Sequence, residues 1–218
     1  MSLIKLYDEK NDTTSNNSIE SIKSIATRDK KSFGKFVTSL TNNYDELNLE
    51  KREEKREIEA VTERLCDILN SNQIIYFDID NLLNKFGNFY KTMLADYEKA
   101  LEYYTKSYEI QKKATSLRND LKMAQSLTII GSVYYNKSDF EKAKEIHQQA
   151  VDLLKSSKWE QTAEYAKALN GLGLDILRLK KYNESLKILN EAHEIRIQIF
   201  NGKDHQDLSE SLFCLGFN

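Results

Sequence analysis

Residues 127–150 read LTIIGSVYYNKSDFEKAKEIHQQA, and both halves of this stretch recur elsewhere in the chain. The first half returns as Leu83, Phe86, Gly87 and Tyr90; as Leu127, Ile130, Gly131 and Tyr134; as Leu169, Leu172, Gly173 and Ile176; and, incompletely, as Leu212, Leu215 and Gly216. The second half returns as DYEKA at 96–100, DFEKA at 139–143 and KYNES at 181–185. The four glycines are 42 to 44 residues apart. A period near 42 with two helical patterns per period predicts a solenoid of helical hairpins.

The recurring glycine is the most informative position of the repeat. Glycine costs about 1 kcal/mol in a helix relative to alanine, yet four of the seven glycines occupy this one slot. The pattern therefore predicts that the first helix of each hairpin (helix A) approaches the second (helix B) too closely for a β-carbon. The small helix-B residues expected to match are Ala100, Ala143 and Ser185. His147 occupies the helix-B slot that Tyr104 and Leu189 fill in the sister repeats, which predicts core packing for this histidine.

Composition supports an all-α fold and argues against several classes of function. The 218 residues contain no proline and only seven glycines, whereas strand-rich folds need many turns built from these residues. Lysine and arginine number 32 against 34 aspartates and glutamates, so we expect no nucleic-acid partner. No apolar run approaches the ~20 residues of a membrane span, and no signal-peptide pattern opens the chain. With only two widely separated cysteines, the chain is expected to be cytoplasmic, without membrane insertion.

Three regions are expected along the chain. Residues 1–30 are rich in Ser, Thr, Asn, Asp and Lys and are predicted to be disordered. Residues 31–72 are predicted to form a helical extension whose apolar stripe suits a coiled coil but lasts barely two heptads, so a single helix packed on the next domain is favoured. Residues 73–218 are predicted to form the repeat array, with about three repeats and a truncated fourth that has helix A only. The stripe consists of Ile58, Val61, Leu65 and Ile68.

The repeated positions resemble the tetratricopeptide repeat (TPR). The residues that carry the resemblance are Leu127, Ile130, Gly131 and Tyr134 on helix A and Phe140, Ala143, His147 and Ala150 on helix B. The long period, together with EIR at 194–196 and DHQD at 204–207, is similar to the kinesin-light-chain and nephrocystin-like subclass. The resemblance implies a right-handed superhelix with a concave groove lined by the outward face of each helix A. Such a groove binds an extended peptide or a helix of a protein partner.

Placing that face on the sequence position by position gives eleven candidate groove residues. They are Asn84, Asn88 and Lys91 in the first repeat, Gln125, Thr128, Ser132 and Tyr135 in the second, and Lys167, Asn170, Leu174 and Arg178 in the third. Asparagine amides suit this task, because each donates to and accepts from a partner's backbone. The alternative is that these are ordinary solvated helix positions.

One TPR subtype clamps the C-terminal carboxylate of cytosolic chaperones, and this chain matches it only in part. Asn88 and Lys167 stand at two of the clamp's positions, but Asn84, Ile129 and Gly171 stand at the other three. A carboxylate held by one lysine lacks the paired charge-assisted bonds that make such sites strong. We therefore do not expect recognition of chaperone tails.

The sequence offers no constellation of residues for chemistry. No His-Glu-x-x-His pair, phosphate-binding loop or nucleophile elbow occurs, so we expect no catalytic residue, no cofactor and no metal site. The expected function is a non-catalytic scaffold or adaptor that binds a protein partner. Two alternatives stay open: a regulatory subunit or signalling sensor in which residues 31–70 act on an effector while the repeats sense a peptide, and an incomplete fragment of a longer array. The apolar residues Leu212, Phe213, Leu215 and Phe217 predict self-association through the last helix.

Overall fold

The structure is a computed structural model, and it describes residues 78–113 and 117–201 together with the single positions Ala60 and Gly216. These residues form six helices: α1 (Asp78–Met93), α2 (Tyr97–Lys112), α3 (Leu117–Asn136), α4 (Phe140–Ser156), α5 (Ala163–Arg178) and α6 (Tyr182–Phe200). No strand occurs in these described ranges. The prediction of an all-α solenoid of helical hairpins is confirmed, with α1–α2, α3–α4 and α5–α6 as the hairpins.

Parts of the sequence-based prediction fall outside these ranges. They are the disordered segment 1–30, the extension 31–72 with its coiled-coil alternative, and the truncated fourth repeat with Leu212, Phe213, Leu215 and Phe217. The chain divides into two compact units, residues 1–86 and 87–218, so the first half of α1 belongs to the first unit. The packing described below is that of the second unit.

Capping residues set the starts of the helices. Asp96, Asp139 and Thr162 precede α2, α4 and α5, and each side chain accepts a hydrogen bond from the backbone N–H three residues later, at 3.1, 3.2 and 3.3 Å. Such bonds satisfy one of the N–H groups that a helix start leaves without a partner inside the helix. Lys181, which precedes α6, provides no side-chain cap.

Each hairpin turn contains one residue in the left-handed conformation. These residues are Ala95 (φ 51°), Ser138 (φ 62°) and Lys180 (φ 62°). In the second and third turns the next N–H bonds back to the carbonyl five residues earlier, at 3.0 and 3.1 Å, which ends helix A in a Schellman arrangement. In the first turn the equivalent bond, from Asp96 to the carbonyl of Tyr90 at 2.9 Å, spans six residues because that turn is one residue longer.

The recurring glycines lie where helix A meets helix B, as predicted. Gly87 faces Tyr104, Gly131 faces His147, and Gly173 faces Leu189. A β-carbon built at any of the three would lie 2.6–2.7 Å from that side chain, well inside the ~3.5–4.0 Å of an ordinary contact between carbon atoms. The small residues predicted to match, Ala100, Ala143 and Ser185, are fully buried. Close approach therefore explains why this slot holds glycine.

Successive hairpins share an apolar core. In the second unit α3 packs against α2, α4 and α5, and α5 also packs against α4 and α6. Leu127 of α3, Leu154 of α4 and Leu172 of α5 belong to one buried cluster that extends to Ile195 of α6. Among the described helices, none is long and apolar enough to cross a membrane.

Candidate partner-binding face

The eleven predicted groove positions differ in how far solvent reaches their side chains. Asn88, Gln125, Lys167 and Arg178 are exposed; Asn84, Lys91, Ser132, Tyr135 and Leu174 are partly buried; Thr128 and Asn170 are buried. Asn84 belongs to the 1–86 unit, so it is not counted in the surface defined next. We name the solvent-reached positions of the second unit the helix-A face: Asn88, Lys91, Gln125, Ser132, Tyr135, Lys167, Leu174 and Arg178.

Thr128 and Asn170 are buried, unlike the other predicted groove positions of the second unit. Only 4% of Thr128 and 3% of Asn170 is exposed. The Thr128 hydroxyl donates to the carbonyl of Ala124 at 2.9 Å, inside its own helix. Asn170 directly precedes Gly171, against which the His147 ring of α4 packs. Spacing in the sequence cannot reveal this burial, because it depends on how closely neighbouring hairpins approach. We leave both residues out of the helix-A face.

Two lysines from different hairpins lie within electrostatic range of each other on this face. Lys91 lies in the last turn of α1 and is partly buried, whereas Lys167 lies near the start of α5 and is exposed. Burial, and then the positive charge of Lys167, lower the pKa of Lys91. With Arg178, the eight positions of the helix-A face include three cations and no carboxylate, and the carboxylate of Glu164 lies beside the face, in contact with Gln125.

Arg178, at the end of α5, lies over two aromatic rings of the preceding hairpin. Its guanidinium carbon is 5.8 Å from the centre of the Tyr135 ring and 5.0 Å from the centre of the Phe140 ring. The two rings meet edge to face at 5.4 Å. Cation–π contacts of this kind orient a guanidinium without neutralising its charge. The cation therefore stays available to an anion on a partner.

Two amide side chains of the face are oriented by neighbouring groups. The Tyr104 hydroxyl donates to Asn88 Oδ1 at 2.7 Å, so the NH₂ group of Asn88 is the part that can meet a partner. Burial raises the pKa of Tyr104, which keeps this hydroxyl a donor. Gln125 Nε2 donates to Glu164 Oε1 at 3.0 Å, which leaves the Gln125 carbonyl oxygen as an acceptor. The face thus presents one directed donor and one directed acceptor.

A buried ion-pairing arrangement, which the sequence did not predict, lies between the second and third hairpins. His147 is buried, as its slot in the repeat predicted, and its Nδ1 lies 2.5 Å from Oδ2 of the buried Asp175. Asp175 could not be found from the repeat pattern, because the equivalent positions hold Phe89 and Val133. Neither residue reaches solvent, so this arrangement is not part of the helix-A face.

A concave region lies between α4, α5 and α6, with a volume of about 410 Å³. Lysine, glutamate and glutamine side chains line it around Tyr165, whose hydroxyl donates to Glu191 Oε1 at 3.4 Å. These mixed charges favour no single class of ligand. Across the part of the chain that the structure describes, no group of three or more His, Cys, Asp or Glu side chains is placed to hold a metal ion.

Family profiles agree with the hairpin geometry. Two tetratricopeptide repeat profiles match the chain, one over residues 78–156 and one over residues 166–207. The chain belongs to the tetratricopeptide repeat family. A comparison with curated proteins finds no match.

Several solved structures are similar to this chain in fold. The crystal structure of BtubC (BKLC) from P. vanneervenii has a TM-score of 0.67 and 19% identity, over 99% of this chain and 82% of that one. The apo form of RapI has a TM-score of 0.60 and 16% identity, over 99% of this chain and 56% of that one. A putative kinesin light chain from Podosopora anserina, with nearly identical TPR-like repeats, has a TM-score of 0.57 and 11% identity, over 91% and 93%. At these identities the likeness is one of fold alone.

Proposed function

We propose that this TPR protein is a non-catalytic scaffold that binds an extended peptide or a helix of a protein partner on its helix-A face. The charge of that face carries the proposal. Lys91, Lys167 and Arg178 supply three cations, which outweigh the Glu164 carboxylate that contacts the face through Gln125. Holding like charges close together is unfavourable in the unbound protein, and an anionic partner removes that repulsion. The partner segment is therefore one that carries acidic side chains.

The directed amides support binding of a polypeptide rather than of a small anion. Asn88 presents a donor and Gln125 an acceptor, and a peptide backbone needs both. Backbone contacts of this kind supply affinity with little dependence on the partner's side chains. The cations then supply the preference for acidic positions.

The same charges argue against a nucleic-acid partner. Three cations on the face are fewer than the 6–10 phosphate contacts typical of a DNA-binding protein, and the whole chain has a formal net charge of −2. We place this scaffold in the cytoplasm, because its two cysteines, Cys66 and Cys214, have no disulfide-framework spacing.

Matched peptides test the proposal. The probes are fluorescein-labelled 12-residue synthetic peptides in pairs, one member with Asp or Glu at defined positions and the other with Asn or Gln there. Fluorescence anisotropy is expected to show tighter binding of acidic members and weaker binding as salt is added, because salt screens exposed charges. Replacing either lysine with alanine should weaken binding of the acidic member by about two- to fivefold.

The control variant carries the same residue types on another helix. Lys187→Ala/Asn190→Ala changes two exposed residues of α6, whereas Asn88→Ala/Lys167→Ala changes the helix-A face. The proposal requires the preference for the acidic peptide to be unchanged by the first pair of substitutions and to be reduced by the second, which removes one of the three cations. Equal loss in both variants, or no peptide binding to the wild type, contradicts it.

A further inference from the structure

The junction between the second and third hairpins is built around a buried imidazole. His147 of α4 is 1% exposed and Asp175 of α5 is 0% exposed. The imidazole Nδ1 lies 2.5 Å from Asp175 Oδ2, and its Nε2 lies 3.1 Å from the backbone carbonyl oxygen of Thr128 in α3. One side chain therefore connects three helices through two polar contacts.

The carbonyl of Thr128 fixes the number of protons on this junction. A carbonyl oxygen only accepts, so Nε2 of His147 carries a hydrogen and donates it. A second proton lies between Nδ1 and Asp175 Oδ2, since otherwise two lone pairs would face each other at 2.5 Å. The pair holds two protons whether the second one rests on nitrogen or on oxygen.

Packing keeps water away from this pair. The His147 ring lies between two glycines of neighbouring helices: a β-carbon would lie 2.7 Å from the ring at Gly131 and 2.6 Å from Nε2 at Gly171. A carboxylate left charged here without its proton would lose hydration with no compensating partner. Burial is accordingly the main influence that raises the pKa of Asp175, and the contact with His147 opposes it.

Among the residues that the structure describes, the titratable side chains of this junction are His147 and Asp175. Around the pair, α3 contributes the Thr128 carbonyl and Gly131, α4 contributes His147, and α5 contributes Gly171 and Asp175. Within the described residues, His147 is the one charged group that acts on the Asp175 carboxyl, and no side chain of α6 does so. The proton count of the junction is therefore that of these two side chains.

We propose that the His147–Asp175 pair is a proton-dependent joint, which ties the second hairpin to the third only while it keeps the proton between Nδ1 and Oδ2. Above pH ~6.5 the unfolded chain has a neutral imidazole and a carboxylate, with one proton between them, whereas the folded pair has two. Folding then takes up one proton, so stability falls as the pH rises, by about tenfold in the folding equilibrium constant per pH unit.

The same count predicts the acid side of the profile. Between pH ~3.9 and ~6.5 the unfolded chain carries an imidazolium and a carboxylate, which together hold two protons, as the folded pair does. The joint then contributes no pH dependence. Below pH ~3.9 the unfolded carboxylate takes up a third proton, and stability falls on acidification. Since α3 and α5 both carry positions of the helix-A face, the joint also holds that face in register, a consequence that rests on the proposed function.

Urea unfolding of the full chain across pH tests the joint without any peptide. The comparison variant is His147→Leu/Asp175→Val, which uses the residues found at the equivalent slots, Leu189 and Val133. Other titrating groups are common to both proteins and cancel in the comparison. Between pH 6.5 and 8.5 the folding equilibrium constant of the wild type is expected to fall by about 50-fold more than that of the variant, because folding takes up one proton and the unfolded imidazole is half protonated at pH ~6.5. Equal pH dependence of the two proteins overturns the proposal.

A second measurement needs no variant and applies even if the substituted chain does not fold. A proton shared between Nδ1 and a carboxylate oxygen at 2.5 Å is strongly deshielded, and ¹⁵N-histidine labelling assigns it to a ring nitrogen. We expect this low-field proton resonance to persist at pH 8 together with the Nε2 hydrogen. Loss of the resonance at pH 8 while the chain stays folded overturns the proposal, whatever the peptide experiments show.

Discussion

Replacing Gly131 with alanine tests the close approach of helix A to helix B. The new β-carbon would lie 2.7 Å from Cδ2 and Nε2 of the His147 ring, about 1 Å closer than an ordinary contact. A flexible side chain could turn away, but this ring has contacts at both nitrogens, to Asp175 and to the carbonyl of Thr128. Gly171 closes the other side of the ring, so the ring can move only by giving up a hydrogen bond.

Three effects decide the size of the change. Overpacking a core costs about 1–3 kcal/mol, and weakening one hydrogen bond costs about 1 kcal/mol more. Alanine adds back about 1 kcal/mol of stability, because its helix propensity is higher than that of glycine. We therefore expect Gly131→Ala to lower the free energy of unfolding by about 1–3 kcal/mol.

Urea denaturation followed by circular dichroism measures this change, and a double-mutant cycle identifies its cause. His147→Ala removes the ring, so in that background Gly131→Ala should stabilise the protein by up to ~1 kcal/mol. The sign of the alanine effect is thus expected to reverse between the two backgrounds. If Gly131→Ala stabilises the wild type to the same degree, the glycine does not mark a close approach and the reasoning is refuted.

Four further substitutions test the turns and the junction between the first two hairpins by urea denaturation. Lys181→Asp adds the missing side-chain cap of α6 and should raise the free energy of unfolding by about 0.5–1 kcal/mol, whereas Asp139→Ala should lower it by about 1 kcal/mol. An unchanged urea midpoint in both variants would show that these caps contribute nothing to stability. Lys180→Gly removes the steric strain of a side chain at a left-handed position and should raise the free energy of unfolding by about 1 kcal/mol. A lower free energy of unfolding would contradict this explanation. Ser126→Ala removes the 2.9 Å bond to buried Gln111 and should cost about 1–3 kcal/mol; no loss would refute its role.

The repeat pattern predicted the hairpins because each slot has one physical requirement. Gly87 and Gly173 must lack a β-carbon, and Ala100 and Ala143 must be small, whatever the surrounding sequence. Such size requirements recur once in every repeat, so a comparison of the three repeats in the sequence is enough to identify them. The caps of α2 and α4 follow the same logic, since an aspartate precedes both helices.

The junctions between hairpins could not be predicted in this way, because each is built differently. The first uses Ser126, whose hydroxyl donates to Gln111 Oε1, and the second uses His147 with Asp175. A residue that occurs in one repeat only leaves no periodic signal. Gly171 is a further example, because its missing β-carbon leaves space for the His147 ring of the preceding hairpin and not for a side chain of its own hairpin.

The positions of the helix-A face were proposed from the sequence, but the sequence did not indicate which of their side chains lie close together. Position alone suggested Asn88 and Lys167, but the proximity of Lys91 to Lys167 depends on the stacking of three hairpins. The contact of Arg178 with Tyr135 likewise joins two repeats. Which side chains of a solenoid face one another is a tertiary property, and a single repeat does not contain it.

Mapping a bound peptide by NMR tests the central claim most directly. The experiment titrates the tightest acidic peptide of the matched series into ¹⁵N-labelled protein and follows the amide signals, including the side-chain NH₂ groups. The account predicts that the largest shifts occur at Asn88 and Gln125 and at the backbone around Lys91 and Lys167. Shifts concentrated on α6 around Lys187 and Asn190, with the helix-A face unchanged, would contradict it.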